Sequence, residues 1–197
     1  PLGHPRQPRP APPQTGRPPR SPRRVGRVCR RSVHPAKGSP HARSAAFLSG
    51  NNLYRLVEAE TEVLVVKRQT VDLDAVAGLI GSVYTAPGYL TYAPYNVLLP
   101  DHWVFAGTGL VRGDQFGAAH GGASGFETDK IRLSTPPDAQ VLAVGANPSG
   151  GAHLLVRDTP GCGFVFNASS VAFASVAADD AVIGRMLKNL ADRATTA

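Results

Sequence analysis

Charge and proline are distributed so unevenly along this chain that only its later part can fold. Residues 1–44 contain 11 of the 18 prolines and 11 of the 21 lysines and arginines, with no acidic and no aromatic residue. Proline removes a backbone donor and disfavours helix at the residue before it. Because such a segment cannot bury enough apolar surface to offset its ordering entropy, we expect residues 1–44 to be a disordered leader.

The composition of this leader has three interpretations. An arginine-rich arm can neutralise the phosphates of a nucleic acid. No aromatic side chains lie among the arginines to stack on bases, however, so we do not expect nucleic-acid binding. The leader can also be a linker or a targeting-like tail. We favour the hypothesis that it is mistranslated, because Pro, Arg, Gly, Ala, Ser and His are what GC-rich coding DNA yields out of frame.

Residues 45–197 have the composition of an ordinary globular domain. They hold 10 basic and 14 acidic residues, so the formal charge of +7 divides into +11 for the leader and −4 for the remainder. Two cysteines, Cys29 and Cys162, are too few for a disulfide framework. No apolar run approaches the roughly 20 residues of a membrane span. We therefore expect a cytoplasmic protein that does not contact the membrane.

Local patterns in residues 45–197 indicate an α/β domain. Short apolar runs predict buried strands at 45–50, 62–67, 141–145, 153–157 and 164–167. From Asp180 onward an apolar stripe at helical spacing, which includes Met186 and Leu190, predicts a terminal helix. Between residues 84 and 130, many glycines, four of the five tyrosines and the one tryptophan predict an irregular or β-rich insertion that carries surface or site.

Four blocks follow one another in this part of the chain. They are FLSGNNLYR (47–55) followed by VVK (65–67), DHWVFAGTGLVRGDQFG (101–117), GFETD (125–129) and GCGFVFNASSVAF (161–173). In order and spacing they resemble the C-terminal domain of the N,N-dimethylformamidase large (beta) subunit family. The resemblance implies a class I glutamine-amidotransferase-like fold, in which helices flank a mostly parallel sheet. It also implies hydrolysis of the carbon–nitrogen bond of a small amide.

The same resemblance implies a mononuclear non-haem iron held by two tyrosines and a glutamate, which would polarise the amide carbonyl and supply hydroxide. In that family the ligands precede the block that contains Asn51, where this chain has a leader without tyrosine or glutamate. We therefore expect an incomplete hydrolase that lacks its iron ligands. The alternative is a non-catalytic amidotransferase-like module that acts with a partner chain, either a small subunit or a second copy.

The resemblance places four candidate residues around the metal. Asn51 would orient the substrate or an oxyanion, or else satisfy backbone groups of its own loop. Lys67 would stabilise negative charge, or else be a solvated lysine at a strand end. Glu127 would be the general base or carry a proton to the leaving amine, unless it and Asp129 merely hold a turn. Phe166 would wall the substrate pocket, or else pack in the core.

Overall fold

A computed structural model describes residues 44–60, 63–70, 72–159 and 163–196. The predicted leader, apart from Ser44, lies outside these ranges, as does Cys162. Within them the backbone forms strands and α-helices joined by turns and two 3₁₀ helices (Trp103–Phe105 and Ala119–Gly121). In chain order the elements are β1 (Ala45–Phe47), β2 (Arg55–Glu60), β3 (Val63–Thr70), α1 (Leu73–Ile80), β4 (Val83–Thr85), β5 (Tyr92–Ala93), β6 (Tyr95–Val97), β7 (Gln115–Phe116), β8 (Ser124–Gly125), β9 (Thr128–Lys130), β10 (Gln140–Gly145), β11 (His153–Thr159), β12 (Gly163–Asn167), α2 (Phe173–Val176) and α3 (Ala181–Thr196).

The central sheet has the strand order β1-β12-β11-β10-β6-β7. Among these described strands, β1 and β12 run parallel and the other four neighbouring pairs run antiparallel. The fold is therefore mixed α/β, as predicted, but the expectation of a mostly parallel sheet is wrong. Short connections account for two of these antiparallel pairs, and residues 146–152 join β10 to β11. Residues 160–162 join β11 to β12, and a parallel crossover needs a dozen residues or more.

Three of the predicted strands and the terminal helix build one core. Strands occur at all five predicted runs, as β1, β3, β10, β11 and β12 with shifted ends. Strands β10, β11 and β12 contribute to the core, whereas Ala45 and Ala46 of β1 are exposed. Helix α3 adds Ile183, Met186 and Leu190 to the core that Leu142 and Leu154 form in the sheet. The carboxylate of Asp180 begins this helix by accepting the backbone N–H of Ile183 at 2.9 Å. The apolar stripe predicted from the sequence is thus confirmed.

The insertion of residues 84–130 is β-rich and irregular, as predicted. Strand β4 pairs with β9, which puts Tyr84 opposite Asp129, and β5 pairs with β8. Through these two short ladders, the GFETD segment lies next to the beginning of the insertion. The pairing therefore places polar residues of both segments next to one another.

Helix α1 is an element that the sequence interpretation misses. Its eight residues are too few for a convincing apolar stripe, but its ends carry local signals. Asp72 accepts the backbone N–H of Asp74 at 2.9 Å, and Gly81 ends the helix in the left-handed conformation at φ 91°.

None of the helices among the described residues has the length and the apolar composition of a membrane-spanning segment.

Candidate functional site

Three of the four sequence blocks meet at one place through their backbones. A Cβ atom on Gly50 would lie 3.0 Å from the carbonyl oxygen of Glu127 and 3.0 Å from the nitrogen of Val171. The N–H of Val171 donates to that same carbonyl of Glu127 at 3.2 Å, and the N–H of Asp129 donates to the carbonyl of Ser169 at 2.8 Å. Glycine at position 50 is what permits this approach, because any side chain would push the segments apart.

Asn51 connects to both acidic residues of the GFETD block. Its side-chain Nδ2 donates to Oε2 of Glu127 at 2.6 Å, and its backbone N–H donates to Oδ1 of Asp129 at 2.8 Å. Asn51 has a φ of 54°, in the left-handed region that asparagine tolerates better than most residues. Phe126 has a φ of 58°, so strained backbone also precedes Glu127.

A cavity of about 450 Å³ opens beside this hydrogen-bonded pair. Its walls are polar and aromatic. They come from the FLSGNNLYR block, from β4, from the turn that follows β4 and from the GFETD block. The lining residues are Asn51, Tyr54, Arg55, Tyr84, Tyr89 and Glu127. A volume of this size is in the range of small-molecule sites, and the convergence of an amide, a carboxylate and phenols is the usual chemistry of one.

The aromatic wall of the cavity is held by edge-to-face ring contacts. The rings of Tyr54 and Tyr84 lie 6.1 Å apart and those of Tyr84 and Tyr89 lie 6.5 Å apart, both nearly perpendicular. The ring of Tyr89 also lies 5.7 Å from that of Phe126. The guanidinium of Arg55 stands 5.2 Å from the centre of the Tyr54 ring. Such pairs restrain the rings, so the wall has a defined shape.

Burial shifts the pKa values of two groups at this site. It raises the pKa of the Tyr84 hydroxyl, and the nearby carboxylate of Glu127 raises it further, so Tyr84 stays a protonated donor. Burial also raises the pKa of Asp129 to about 6, against the lowering effect of the backbone N–H groups of Asn51 and Asn52. Asp129 is therefore poised to change its charge near neutral pH.

Two buried oxygens at this site have no hydrogen-bond partner among the described residues. They are Oδ1 of Asn51 and Oδ2 of Asp129. Buried polar atoms are nearly always paired, since an unpaired one loses the hydration of the unfolded chain without replacement. Both atoms are acceptors, so they are suited to a donor from water or from a bound molecule.

A family model described as N,N-dimethylformamidase beta subunit-like, C-terminal, matches residues 67–182, more than half of the chain. The chain belongs to this family. The resemblance inferred from the four sequence blocks is thereby confirmed. The matched range begins at Lys67 and includes Glu127 and Phe166, whereas Asn51 precedes it. No curated protein matches the chain.

The structure describes the side chains of three of the four candidate residues of this dimethylformamidase-like domain. Asn51 and Glu127 come together at the cavity. Phe166 is fully buried and packs against Phe173 in the core, and it is not among the residues that line the cavity. Lys67 lies in β3, and its side chain is outside the part that the structure describes. The roles foreseen for Lys67 and Phe166 stay predictions.

The remaining block, residues 101–117, supports α3 and contributes no residue to the cavity lining. Asn189 of α3 donates to the carbonyl of Val104 at 2.9 Å, and the guanidinium of Arg193 lies 4.5 Å from the centre of the Trp103 ring. The indole N–H of Trp103 donates to Asp158 at 3.0 Å. In this dimethylformamidase-like domain the block therefore has a packing role that the sequence interpretation did not assign.

The resemblance places the iron ligands before Asn51 in the chain, not in this cavity. Ferric iron takes hard anionic oxygens, and the one carboxylate among the lining residues is that of Glu127. The carboxylate of Glu127 already accepts the amide of Asn51. Within residues 44–60, 63–70, 72–159 and 163–196, no group of three or more His, Cys, Asp or Glu side chains could hold a metal ion.

Sequence reasoning missed several residues of this site. It singled out neither the three cavity tyrosines nor the buried state of Asp129. A signal for the tyrosines was available, because Tyr84 and Tyr89 belong to the insertion in which tyrosine is concentrated and Tyr54 follows the GN motif. No comparable signal distinguishes Asp129 from an exposed aspartate, since its burial comes from long-range contacts with Asn51 and Ser169.

Proposed function

We propose that this chain carries part of the site of a hydrolase that cleaves the carbon–nitrogen bond of a small amide. The observation that supports this most directly is the 2.6 Å hydrogen bond between Asn51 and Glu127 at the edge of the tyrosine-walled cavity. A carboxylate of fixed orientation beside a small polar cavity is what proton transfer to and from an amide requires.

Glu127 is the proton carrier in this proposal. Water attacks the amide carbonyl carbon, and its proton passes to the free oxygen of the Glu127 carboxylate. The carbon–nitrogen bond then breaks as that proton moves to the departing nitrogen, which leaves a carboxylic acid and an amine. Glu127 suits the task because Asn51 occupies Oε2 alone and fixes the plane of the carboxylate.

Asn51 and Tyr84 orient the reactants. Asn51 orients the attacking water through Glu127, whose carboxylate its side-chain amide holds at Oε2. The hydroxyl of Tyr84 donates to the carbonyl oxygen as negative charge develops there, since its raised pKa keeps it protonated. Lys67 adds a positive charge, as the resemblance implies, whereas the pocket wall that the resemblance assigns to Phe166 is formed by the lining tyrosines.

The size and chemistry of the cavity favour a small substrate. About 450 Å³ with three phenol rings admits a short N-alkylated amide. The iron of such a hydrolase requires ligands other than the described cavity residues.

A second candidate function is a non-catalytic module that acts with a partner chain. Two observations favour it: the matching family is described as beta subunit-like, and the described residues contain no group of three or more His, Cys, Asp or Glu side chains that could hold a metal ion. In this case the site binds an amide-bearing ligand or completes a site that the partner supplies.

Turnover of N,N-dimethylformamide by the purified chain tests the first candidate. Formate and dimethylamine are measured with and without added iron, for the wild type, Glu127→Gln and the exposed control Asp138→Asn. Added iron has to be held by groups other than the described cavity residues; where it is, we expect formate release that Glu127→Gln lowers by roughly 10²-fold or more and that Asp138→Asn leaves unchanged. Formate release that Glu127→Gln does not lower contradicts the role of Glu127, and no release under either condition favours the module.

A further inference from the structure

The turn that contains Asn51 is held by the carboxylate of Asp129. The backbone N–H of Asn51 donates to Oδ1 of Asp129 at 2.8 Å, and the backbone N–H of Asn52 lies close enough to help lower the pKa of this carboxyl. Asn51 and Leu53 have φ angles of 54° and 53°. Non-glycine residues keep such angles only where their surroundings over-determine the conformation. The geometry of the turn therefore depends on the acceptor at position 129.

Asp129 is itself rigidly placed and fully buried. It lies in β9 opposite Tyr84 of β4, and its N–H donates to the carbonyl of Ser169 at 2.8 Å. Its relative exposure is 0%. A neutral side-chain oxygen would cap the turn without the desolvation of a charge. Moreover, its Oδ2 atom has no hydrogen-bond partner among the described residues. A neutral oxygen acceptor would therefore be enough to cap the turn, and the carboxylate of Asp129 points to a second role.

Resting on the proposed function, we propose that Asp129 is a positioning residue of this site, whose ionised carboxylate fixes the Asn51 turn and so keeps the Asn51 amide on Glu127. A protonated Asp129 accepts the N–H of Asn51 more weakly, because hydrogen bonds to an ionised acceptor are stronger than those to a neutral one. The turn then loosens, and Glu127 loses its fixed orientation. Asp129 acts through Asn51 and contacts no substrate.

The burial of Asp129 and the charges around it set the pH at which its carboxylate takes up a proton. Burial raises its pKa to about 6, Glu127 raises it further, and Lys130 opposes the rise. The ammonium of Lys130 is bound by Thr85, Thr128 and the carbonyl of Pro87, so it does not pair directly with Asp129. The titratable groups on and around β9 are Glu127, Lys130, Tyr84 of β4, Tyr95 of β6 and His153 of β11, whose pKa is lowered by burial and by Lys130.

A pH titration of the whole chain by NMR tests this proposal without turnover. The carboxyl carbon of Asp129, the backbone N–H of Asn51 and the side-chain NH₂ of Asn51 are followed from about pH 4.5 to 8. We expect all three signals to share one midpoint near the pKa of Asp129. In Asp129→Asn, which keeps an oxygen acceptor, both Asn51 signals lose this step, whereas the exposed control Asp138→Asn retains it.

Two results overturn the positioning role. In one, the backbone N–H of Asn51 follows Asp129 but the side-chain NH₂ does not, so that Asp129 only caps a turn. In the other, the Asn51 signals titrate unchanged in Asp129→Asn. If that variant does not fold, the wild-type midpoints alone decide, because separate midpoints for Asp129 and the Asn51 side chain exclude the coupling. A shared midpoint in a chain that does not hydrolyse N,N-dimethylformamide contradicts the hydrolase and leaves the coupling intact.

Discussion

The side-chain amide of Asn51 donates to Oε2 of Glu127 at 2.6 Å, although 76 positions separate the two residues in the chain. An ionised carboxylate only accepts hydrogen bonds, so the contact fixes which end of the Asn51 amide faces Glu127. The opposite atom, Oδ1, is left for a donor that the described residues do not provide. One hydrogen bond thus orients a base and leaves an acceptor next to it.

Substitutions of Asn51 should separate backbone strain from the function of the side chain. Alanine at φ 54° is strained, whereas glycine adopts this angle freely. In urea denaturation we expect Asn51→Ala to lose about 1 kcal/mol more stability than Asn51→Gly. Both variants lack the amide, so both should bind N,N-dimethylformamide equally poorly. A glycine variant that binds as well as the wild type would remove Asn51 from the site.

The close approach at Gly50 makes a second prediction about stability. Gly50→Ala places a Cβ 3.0 Å from backbone atoms of Glu127 and Val171, which cannot move aside cheaply. We expect a loss of roughly 1 to 3 kcal/mol in the free energy of unfolding. The matched control is Gly184→Ala in α3, where nothing lies within 4 Å of the new Cβ. It should gain up to about 1 kcal/mol, and equal effects at both positions would argue against the convergence of the blocks.

The buried carboxyl of Asp129 should make stability depend on pH. Its pKa is raised from 3.8 to about 6, mainly by burial. Between these values the native protein holds a proton that the unfolded chain has released, so the free energy of unfolding falls as pH rises through this window. This pKa shift corresponds to a fall of at most about 3 kcal/mol in the free energy of unfolding.

Asp129→Asn should therefore be more stable than the wild type at about pH 7.5, by up to about 3 kcal/mol, and should show no gain near pH 4. Urea unfolding at the two pH values measures this, with exposed Asp101→Asn as the control that gains at neither. A wild type more stable than Asp129→Asn at the higher pH would mean that the charge of Asp129 stabilises the fold, contrary to the burial argument.

The sequence predicts local elements of this fold well and their pairing poorly. The apolar runs at β10, β11 and β12 and the stripe of α3 identify their elements because burial imposes a period on a single segment. Strand direction depends instead on the connections. The family resemblance implied a parallel sheet, whereas the short link of residues 160–162 permits only antiparallel pairing of β11 with β12.

The sequence predicts those site residues that a motif within one segment identifies. It does not predict residues that reach the site only because distant segments pair. Asn51 and Glu127 stand in blocks that the family resemblance picks out, and the structure brings them together. Tyr84 and Asp129 reach the same place only through the pairing of β4 with β9. The concentration of tyrosine in the insertion indicates a site there, but nothing in either strand alone specifies its partner, so the buried carboxyl of Asp129 does not follow from the sequence.

The central claim is that Asn51, Glu127 and Tyr84 form one binding site for a small amide. A titration of the ¹⁵N-labelled chain with N,N-dimethylformamide, followed by NMR, tests it most directly. We expect saturable shifts of the Asn51 side-chain NH₂ and the Tyr84 backbone N–H with one dissociation constant, both abolished in Glu127→Gln and Asn51→Ala. Shifts that do not saturate, that spread evenly over the surface, or that persist in both variants would contradict the account.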